Sequence, residues 1–164
     1  KYRQQCYKYL NEAEKILRDD GDKNFQESLA CFDYNNDGLN EYVCRMKNYF
    51  SYISPEGGSI RELDVLKSGT NYADNLSRVV EYDDCNDGYE RGLFVDHIFS
   101  DEQFKNYLKG EPSGSGIFSK VQYTELKVVN SRHEIQLYAE AVFPATKQKI
   151  SLRKKYIINS TENN

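Results

Sequence analysis

The chain has 164 residues, about the length of one ordinary domain, and is long enough to bury a hydrophobic core. Its net charge of −4 and its sequence pI of about 5.3 leave no basic surface for nucleic acid. Because no apolar run approaches the roughly 20 residues of a membrane-spanning helix, we expect neither nucleic acid nor a membrane as a partner.

The first predicted element is an amphipathic helix over residues 2–18, with a stop signal at Gly21. Its apolar side chains recur at helical spacing and form one stripe: Cys6, Tyr9, Leu10, Ala13, Ile16 and Leu17. A single helix of this length is marginal in water. We therefore expect the stripe to pack on the domain behind it or on a neighbour outside the chain. We assign residues 1–20 to a linker helix and residues 21–164 to one β-sandwich domain.

Strand patterns follow Gly21. The offset between Ile60 and Leu63 predicts a β-bulge in one of the strands. Polar segments at 68–75 and 83–92 are predicted loops. Four segments have the alternation, or the aromatic and β-branched content, that is typical of strands: 25–32, 42–47, 49–53 and 60–66.

The last third of the chain has the strongest strand signal. Three long segments, 121–129, 134–143 and 148–158, are separated by short turns. In the middle segment, apolar residues alternate with polar ones from Ile135 to Phe143, which predicts one buried face. One helix followed by many strands, without βαβ alternation, predicts a mainly-β antiparallel sandwich with an N-terminal helix.

The number and spacing of the cysteines indicate the redox state of the protein's cellular compartment. Cys6, Cys31, Cys44 and Cys85 form no CxxC pair, and with two histidines no zinc pattern arises. Cys31 and Cys44 flank one loop almost symmetrically and would face each other in a regular hairpin. The two alternatives are a disulfide between Cys31 and Cys44 and a pair of buried free thiols. The size of the domain favours free thiols. We therefore predict a reducing, cytoplasmic location.

The loop between these two cysteines reads D-x-N-x-D-G-x-x-E. Calcium takes six to eight hard oxygen ligands, and alternating oxygen-bearing side chains around a glycine turn supply several of them. The same residues are also those favoured in an Asx-turn hairpin, which is the alternative. The predicted Ca²⁺ ligands are the side chains of Asp33, Asn35, Asp37 and Glu41 and the backbone carbonyl of Leu39.

The order of several short motifs resembles the C-terminal β-domain of glycoside hydrolase family 57 enzymes, the α-amylase and 4-α-glucanotransferase type. The matching segments are residues 33–41, 55–58, 62–64 (ELD), 75–78 (NLSR) and 94–99 (FVDHIF), and the N-terminal helix resembles the last helix before that domain. Two departures stand out. Asn35 lies where the family often has Asp, and residues 81–84 lack the family's histidine.

This resemblance implies a galactose-mutarotase-like supersandwich, complete or truncated. In that family the catalytic carboxylates lie on an N-terminal barrel, and this chain has no βαβ pattern, so no catalytic residue is carried over. The implied function is a non-catalytic C-terminal domain of an α-glucan-active enzyme, α-amylase or 4-α-glucanotransferase. It would pack on the catalytic barrel of the same parent chain and contact an α-glucan oligosaccharide.

Two other functions stay open. A stand-alone carbohydrate-binding module would use some of the 14 tyrosines as stacking platforms. An aldose epimerase-like enzyme, suggested by fold analogy alone, needs a histidine and an acid in one cleft. Asp96 and His97 are the only adjacent acid and histidine inside an apolar run, but neighbours on a strand point to opposite faces. We therefore predict a structural role for His97 and a solvated turn position for His133.

Overall fold

The structure, a computed structural model, describes residues 2–21, 25–74, 89–109 and 116–159. These residues form two α-helices and eight β-strands in two antiparallel sheets, which confirms the predicted mainly-β class with an N-terminal helix. Within these ranges no helix is long and apolar enough to cross a membrane. The elements are α1 (Tyr2–Gly21), β1 (Ser28–Phe32), β2 (Glu41–Arg45), β3 (Tyr49–Ser54), β4 (Ser59–Val65), β5 (Thr70–Asn71), α2 (Asp101–Lys109), β6 (Thr124–Val129), β7 (Glu134–Val142) and β8 (Lys149–Ile157).

The first sheet is a meander in the order β1-β2-β3-β4-β5. Tyr52 pairs with Glu62, but the next residue, Ile53, pairs with Ile60, so Arg61 is the extra residue of a bulge. The predicted bulge is therefore confirmed. Because a bulge bends its strand and increases the local twist, the two ends of β4 are turned relative to each other.

The second sheet contains the three predicted C-terminal strands in the order β6-β7-β8. Alternate β7 residues Ile135, Leu137 and Ala139 are buried, as the alternation predicts. The turn between β6 and β7 is a short 3-10 helix, Asn130–Arg132, and its C-cap residue His133 has a left-handed φ of 43°. This geometry agrees with the predicted turn position of His133.

One hydrophobic core receives side chains from both sheets. Its buried members from the first half of the chain are Tyr42, Cys44, Met46 and Ile53, and those from the second half are Phe118, Tyr123, Ile135, Leu137, Ala139 and Ile158. Lys154 of β8 ties the sheets further, since its Nζ donates to the carbonyls of Gly57 (2.9 Å) and Gly58 (2.7 Å). The two sheets therefore contribute to one shared core.

Helix α1 lies against the outer face of the first sheet, near β4 and β5. Its attachment is polar. Asn11 is 3% exposed, Arg18 donates to the carbonyl of Met46 (2.5 Å), and Arg3 pairs with Asp74 (2.6 Å).

The apolar stripe of α1 faces away from the sheet. Tyr9 is 68% exposed, Ile16 60% and Leu17 67%. The first of our two expectations, that the stripe packs on the domain behind it, is therefore wrong. The physical reason is that the outer face of the sheet presents acids and aromatic rings, and these contact the polar face of the helix.

The segment 94–99, which the family resemblance predicts to be a strand, also differs from the prediction. Leu93 just before it makes an isolated bridge to Ile60, and residues 94–99 form no ladder. Phe94 has a φ of 63°, which a β-strand does not accommodate. The segment is therefore an irregular connection that meets β4 at Ile60.

Candidate functional site

The predicted calcium loop connects β1 to β2 and folds onto its own backbone. The two carboxylate oxygens of Asp33 accept the N–H groups of Asp37 (3.1 Å) and Gly38 (3.0 Å). Asn35 Oδ1 also accepts Asp37 N–H (3.0 Å), and Asp37 Oδ1 accepts Leu39 N–H (2.8 Å). This pattern is that of nested Asx-turns, so the loop brings the predicted residues together as a tight turn.

Glu41, the last predicted ligand, begins β2 and is fully buried. Its Oε2 accepts the N–H of Tyr34 (2.9 Å), but its Oε1 has no hydrogen-bond partner among the described residues. Burial raises the pKa of Glu41, since a desolvated carboxylate favours its neutral form. A cation would satisfy such an oxygen.

One observation counts against a metal ion bound in this loop. Within the described ranges, no three acidic, histidine or cysteine side chains are grouped to hold a metal ion. The asparagine side chain and the Leu39 carbonyl of the predicted set are not in that count. The calcium prediction therefore has one observation for it, the unpartnered Glu41 oxygen, and stays a prediction.

A cleft lies between α1 and the outer face of the first sheet. Its volume is about 270 Å³. Glu62 and Asp64 point from β4 to the same side, and their cross-strand partners are Tyr52 and Phe50. The ring of Tyr34 lies 5.0 Å from that of Tyr52 and 5.8 Å from that of Phe50. Aromatic rings and carboxyl groups thus line one wall, and the helix forms the other.

The two acids of this cleft have perturbed pKa values. Burial, together with the neighbouring Asp64, raises the pKa of Glu62 to about 8. Burial also raises the pKa of Asp64. Two carboxyl groups this close cannot both ionise cheaply, so the pair holds one proton near neutral pH.

Asn11 of the helix and Asp64 of the sheet meet at the base of the cleft. The side chains of Asn11 and Glu62 both hydrogen-bond to the Asp64 carboxyl group, which partly offsets the effect of burial on its pKa. Asn11 and Asp64 are nearly inaccessible, at 3% and 7% exposure. Sequence reasoning missed this cleft, because it treated the ELD segment only as a mark of family resemblance and the helix only by its apolar stripe.

The acid and histidine of residues 96–97 are held in separate networks. Asp96 accepts the hydroxyl proton of Tyr123 (3.2 Å) and pairs with Lys154 Nζ (2.7 Å). His97 Nδ1 accepts the N–H of Gly116 (3.1 Å), and its ring stacks on Phe99 at 5.3 Å. The two side chains thus do not converge, and the contacts of His97 agree with the predicted structural role.

The cysteine geometry excludes one alternative. Cys31 lies opposite Tyr42 and Cys44 lies opposite Leu29, so the two cysteines are diagonal rather than directly paired. Both are free thiols, Cys31 exposed and Cys44 buried. The disulfide alternative is therefore wrong, and the buried-thiol alternative holds for Cys44 alone. Cys85 and the motif residues 75–78 and 81–84 lie outside the described residues.

The fold defines a class, a mainly-β domain of two antiparallel sheets with a helix on the outer face of one of them. Neither a family model nor a curated protein sequence matches the chain. Among solved structures, the fold is similar to the crystal structure of 4-alpha-glucanotransferase from Thermococcus litoralis, with a TM-score of 0.67 and 19% sequence identity. The match covers 96% of this chain and 25% of that one, so the chain spans a quarter of its structural neighbour.

Proposed function

We propose that the chain is a non-catalytic β-sandwich domain of an α-glucan-active enzyme, of the α-amylase or 4-α-glucanotransferase type in glycoside hydrolase family 57. The observation that supports this most is the fold likeness to a 4-alpha-glucanotransferase over 96% of this chain but only 25% of that one. The other part of such an enzyme would carry the catalytic barrel. This proposal includes an α-glucan oligosaccharide as a ligand and a cytoplasmic location.

The exposed face of α1 supports a partner within the same parent chain. Tyr9, Ile16 and Leu17 are each at least 60% exposed and lie on one side of one helix. Contiguous apolar surface of this kind marks contact sites in soluble proteins. We propose that the catalytic barrel of the parent enzyme covers this stripe.

The association test uses the chain and the remainder of its parent enzyme as two separate polypeptides. They should form a complex, measured by light scattering or calorimetry, that restores the activity of the barrel. Ile16→Ser with Leu17→Ser should weaken the complex at least tenfold. Lys15→Gln, an exposed position of α1 outside the stripe, is the matched control and should not. Equal affinity of both variants would contradict the proposed contact.

The isolated chain should have no hydrolase or transferase activity on maltooligosaccharides, because the proposed catalytic carboxylates belong to the barrel. Product formation would be measured by chromatography with a preparation free of host amylase. Turnover that disappears on mutation of an acid in this chain, such as Glu62→Gln, would show that the chain is itself an enzyme.

Calcium binding by Asp33, Asn35, Asp37, Leu39 and Glu41 is a second proposal, favoured by the buried, unpartnered Oε1 of Glu41. The two other candidate functions have direct tests. Retention on immobilised amylose by the isolated chain would favour a stand-alone carbohydrate-binding module. Acceleration of sugar anomerisation would favour an aldose epimerase.

A further inference from the structure

Helix α1 contacts the first sheet through one polar stripe. Among residues 2–18, Asn11 is the one buried residue, and the half-buried residues are Tyr7, Glu14 and Arg18. Their spacing of four, three and four residues places these side chains on one face of the helix. The apolar stripe lies elsewhere on the helix and is exposed. Because burial of apolar surface is the main favourable term in folding, the sheet holds α1 by weaker forces.

Ion pairs that reach solvent make part of this attachment. In the pair of Arg3 with Asp74 (2.6 Å) the arginine side chain is 57% exposed, and in the pair of Arg45 with Glu14 (3.2 Å) it is 48% exposed. Such pairs contribute little to stability and are screened by salt. Side-chain hydrogen bonds add to them, between Tyr7 and Asn71, between Asn11 and Asp64, and between Arg18 and the carbonyl of Met46.

Two cavities show that the interface between α1 and the sheet is loosely packed. One, of about 270 Å³, is the cleft described above, and its lining includes Leu10 and Asn11 of the helix. The other, of about 410 Å³, lies nearer the start of the helix, between Tyr7 of α1 and Asn71 of β5. Well-packed protein interiors contain few voids larger than a water molecule. Solvent that enters these cavities competes for the polar contacts.

We propose that α1 is a detachable helix, which leaves the first sheet while both sheets stay folded and docks again through its polar stripe. Helices in proteins owe most of their stability to tertiary packing, so a released α1 also frays. Release takes the apolar stripe out of its fixed position on the domain and therefore weakens the contact with the catalytic barrel. Only this last consequence rests on the proposed function.

Hydrogen exchange of the 164-residue chain, measured at single amides by NMR, tests the release. Strand β7 is the reference, because it is paired on both sides. After correction for intrinsic rates, amides of residues 7–16 should exchange about a hundredfold faster than those of β7, since local opening needs less free energy than global unfolding. Raising NaCl from about 0.05 M to about 0.5 M should speed exchange in α1 about threefold and leave β7 unchanged. Equal protection of α1 and β7, or no response of α1 to salt, would overturn the proposal.

Variants locate the contacts that hold the helix. Arg3→Gln with Arg45→Gln removes the two ion pairs above and should speed exchange of residues 7–16 about fivefold, with β7 unchanged. Lys15→Gln removes a positive charge from an exposed position of α1 outside both stripes and should change neither. Equal acceleration of α1 and β7 in the double variant would mean global destabilisation and would overturn the proposal. Equal effects of the double variant and Lys15→Gln would overturn it as well.

The outcomes separate this inference from the proposed function. The double variant should also weaken the complex in the association test, because the stripe is less often in its docked position. Faster exchange in α1 with an unchanged complex would support the detachable helix and contradict its effect on the barrel. Failure of the wild-type chain to bind the remainder of the enzyme would contradict the proposed function and leave the exchange result unaffected.

Discussion

Three carboxyl groups with raised pKa values, two buried and one half-buried, stand out at the scale of single residues. Glu41, Glu62 and Asp64 all have pKa values raised by burial. Glu41 lies at the calcium loop, and the other two line the cleft under α1. Carboxyl groups with raised pKa values cluster at functional sites, although structural networks perturb them too.

Glu62 makes stability depend on pH in a defined direction. Its pKa rises from 4.5 to about 8, so the folded state holds its proton more tightly than the unfolded state. This contribution to stability is complete below pH 4.5 and is lost as the pH rises through about 8. Glu62→Gln should therefore raise Tm at pH 8 but not at pH 4.5. Each kcal/mol of added stability should raise Tm by about 2–4 °C. Calorimetry at both pH values would measure it, and a gain that is equal at both would contradict the assignment.

The calcium proposal has its own residue-scale test. If Asp33, Asp37 and Glu41 bind the ion only in the folded state, a hundredfold excess of Ca²⁺ over Kd should add about 2.7 kcal/mol to the free energy of unfolding. Mg²⁺ should substitute poorly, because it prefers to keep several waters. Melting curves of the wild type and Asp37→Ala in calcium, magnesium and chelator decide it. If the calcium and chelator curves of the wild type coincide, the loop is only a turn.

At the scale of elements, α1 is attached through its polar face. The periodicity of the sequence located both the helix and its stripe, and Gly21 is the last helical residue. Periodicity alone could not assign the side that faces the sheet, because that depends on what the sheet presents. Glu62 and Asp64 present carboxyl groups there, and the polar side of the helix meets them.

A pair of variants tests this orientation of α1. Ile16→Ser should change the free energy of unfolding by less than about 0.5 kcal/mol, as exposed substitutions usually do. Leu137→Ala, at 0% exposure in β7, should cost about 2–5 kcal/mol. Chemical denaturation of the isolated chain measures both. A loss of several kcal/mol for Ile16→Ser would mean that the stripe is buried within this domain.

At the scale of the whole molecule, Lys154 connects elements that are far apart in sequence. Its side chain is 9% exposed, and Nζ reaches the carbonyls of Gly57, Gly58 and Phe94 as well as the carboxylate of Asp96. Burial lowers the pKa of Lys154, and the partial compensation comes from Asp96. One ammonium group thus holds β8, the β3–β4 turn and the segment 89–99 together.

Lys154→Met should destabilise the domain strongly, because it leaves Asp96 and three carbonyls without their cation. Lys154 is buried but Asp96 is 35% exposed, so the cost should lie below the roughly 3–5 kcal/mol of a fully buried pair. Lys149→Met on the same strand is the control. Its side chain is 66% exposed and its ion pair with Glu140 is at the surface, so its loss should leave the unfolding midpoint nearly unchanged. Equal midpoints of urea unfolding for the two variants would contradict this role of Lys154.

The sequence by itself determined the mainly-β class, the N-terminal helix, the three C-terminal strands and the bulge in β4. These features depend on local periodicity and on turn residues, and both can be recognised in the sequence. Only the tertiary structure decided that the helix stripe points outward, that Cys31 and Cys44 are diagonal, and that Asn11 and Asp64 share a cleft. The physical reason is that each of these features depends on strand register or on contacts between segments more than ten residues apart in the chain. Burial and charge pairing between such segments decide which side chains meet, and local periodicity carries no information on them.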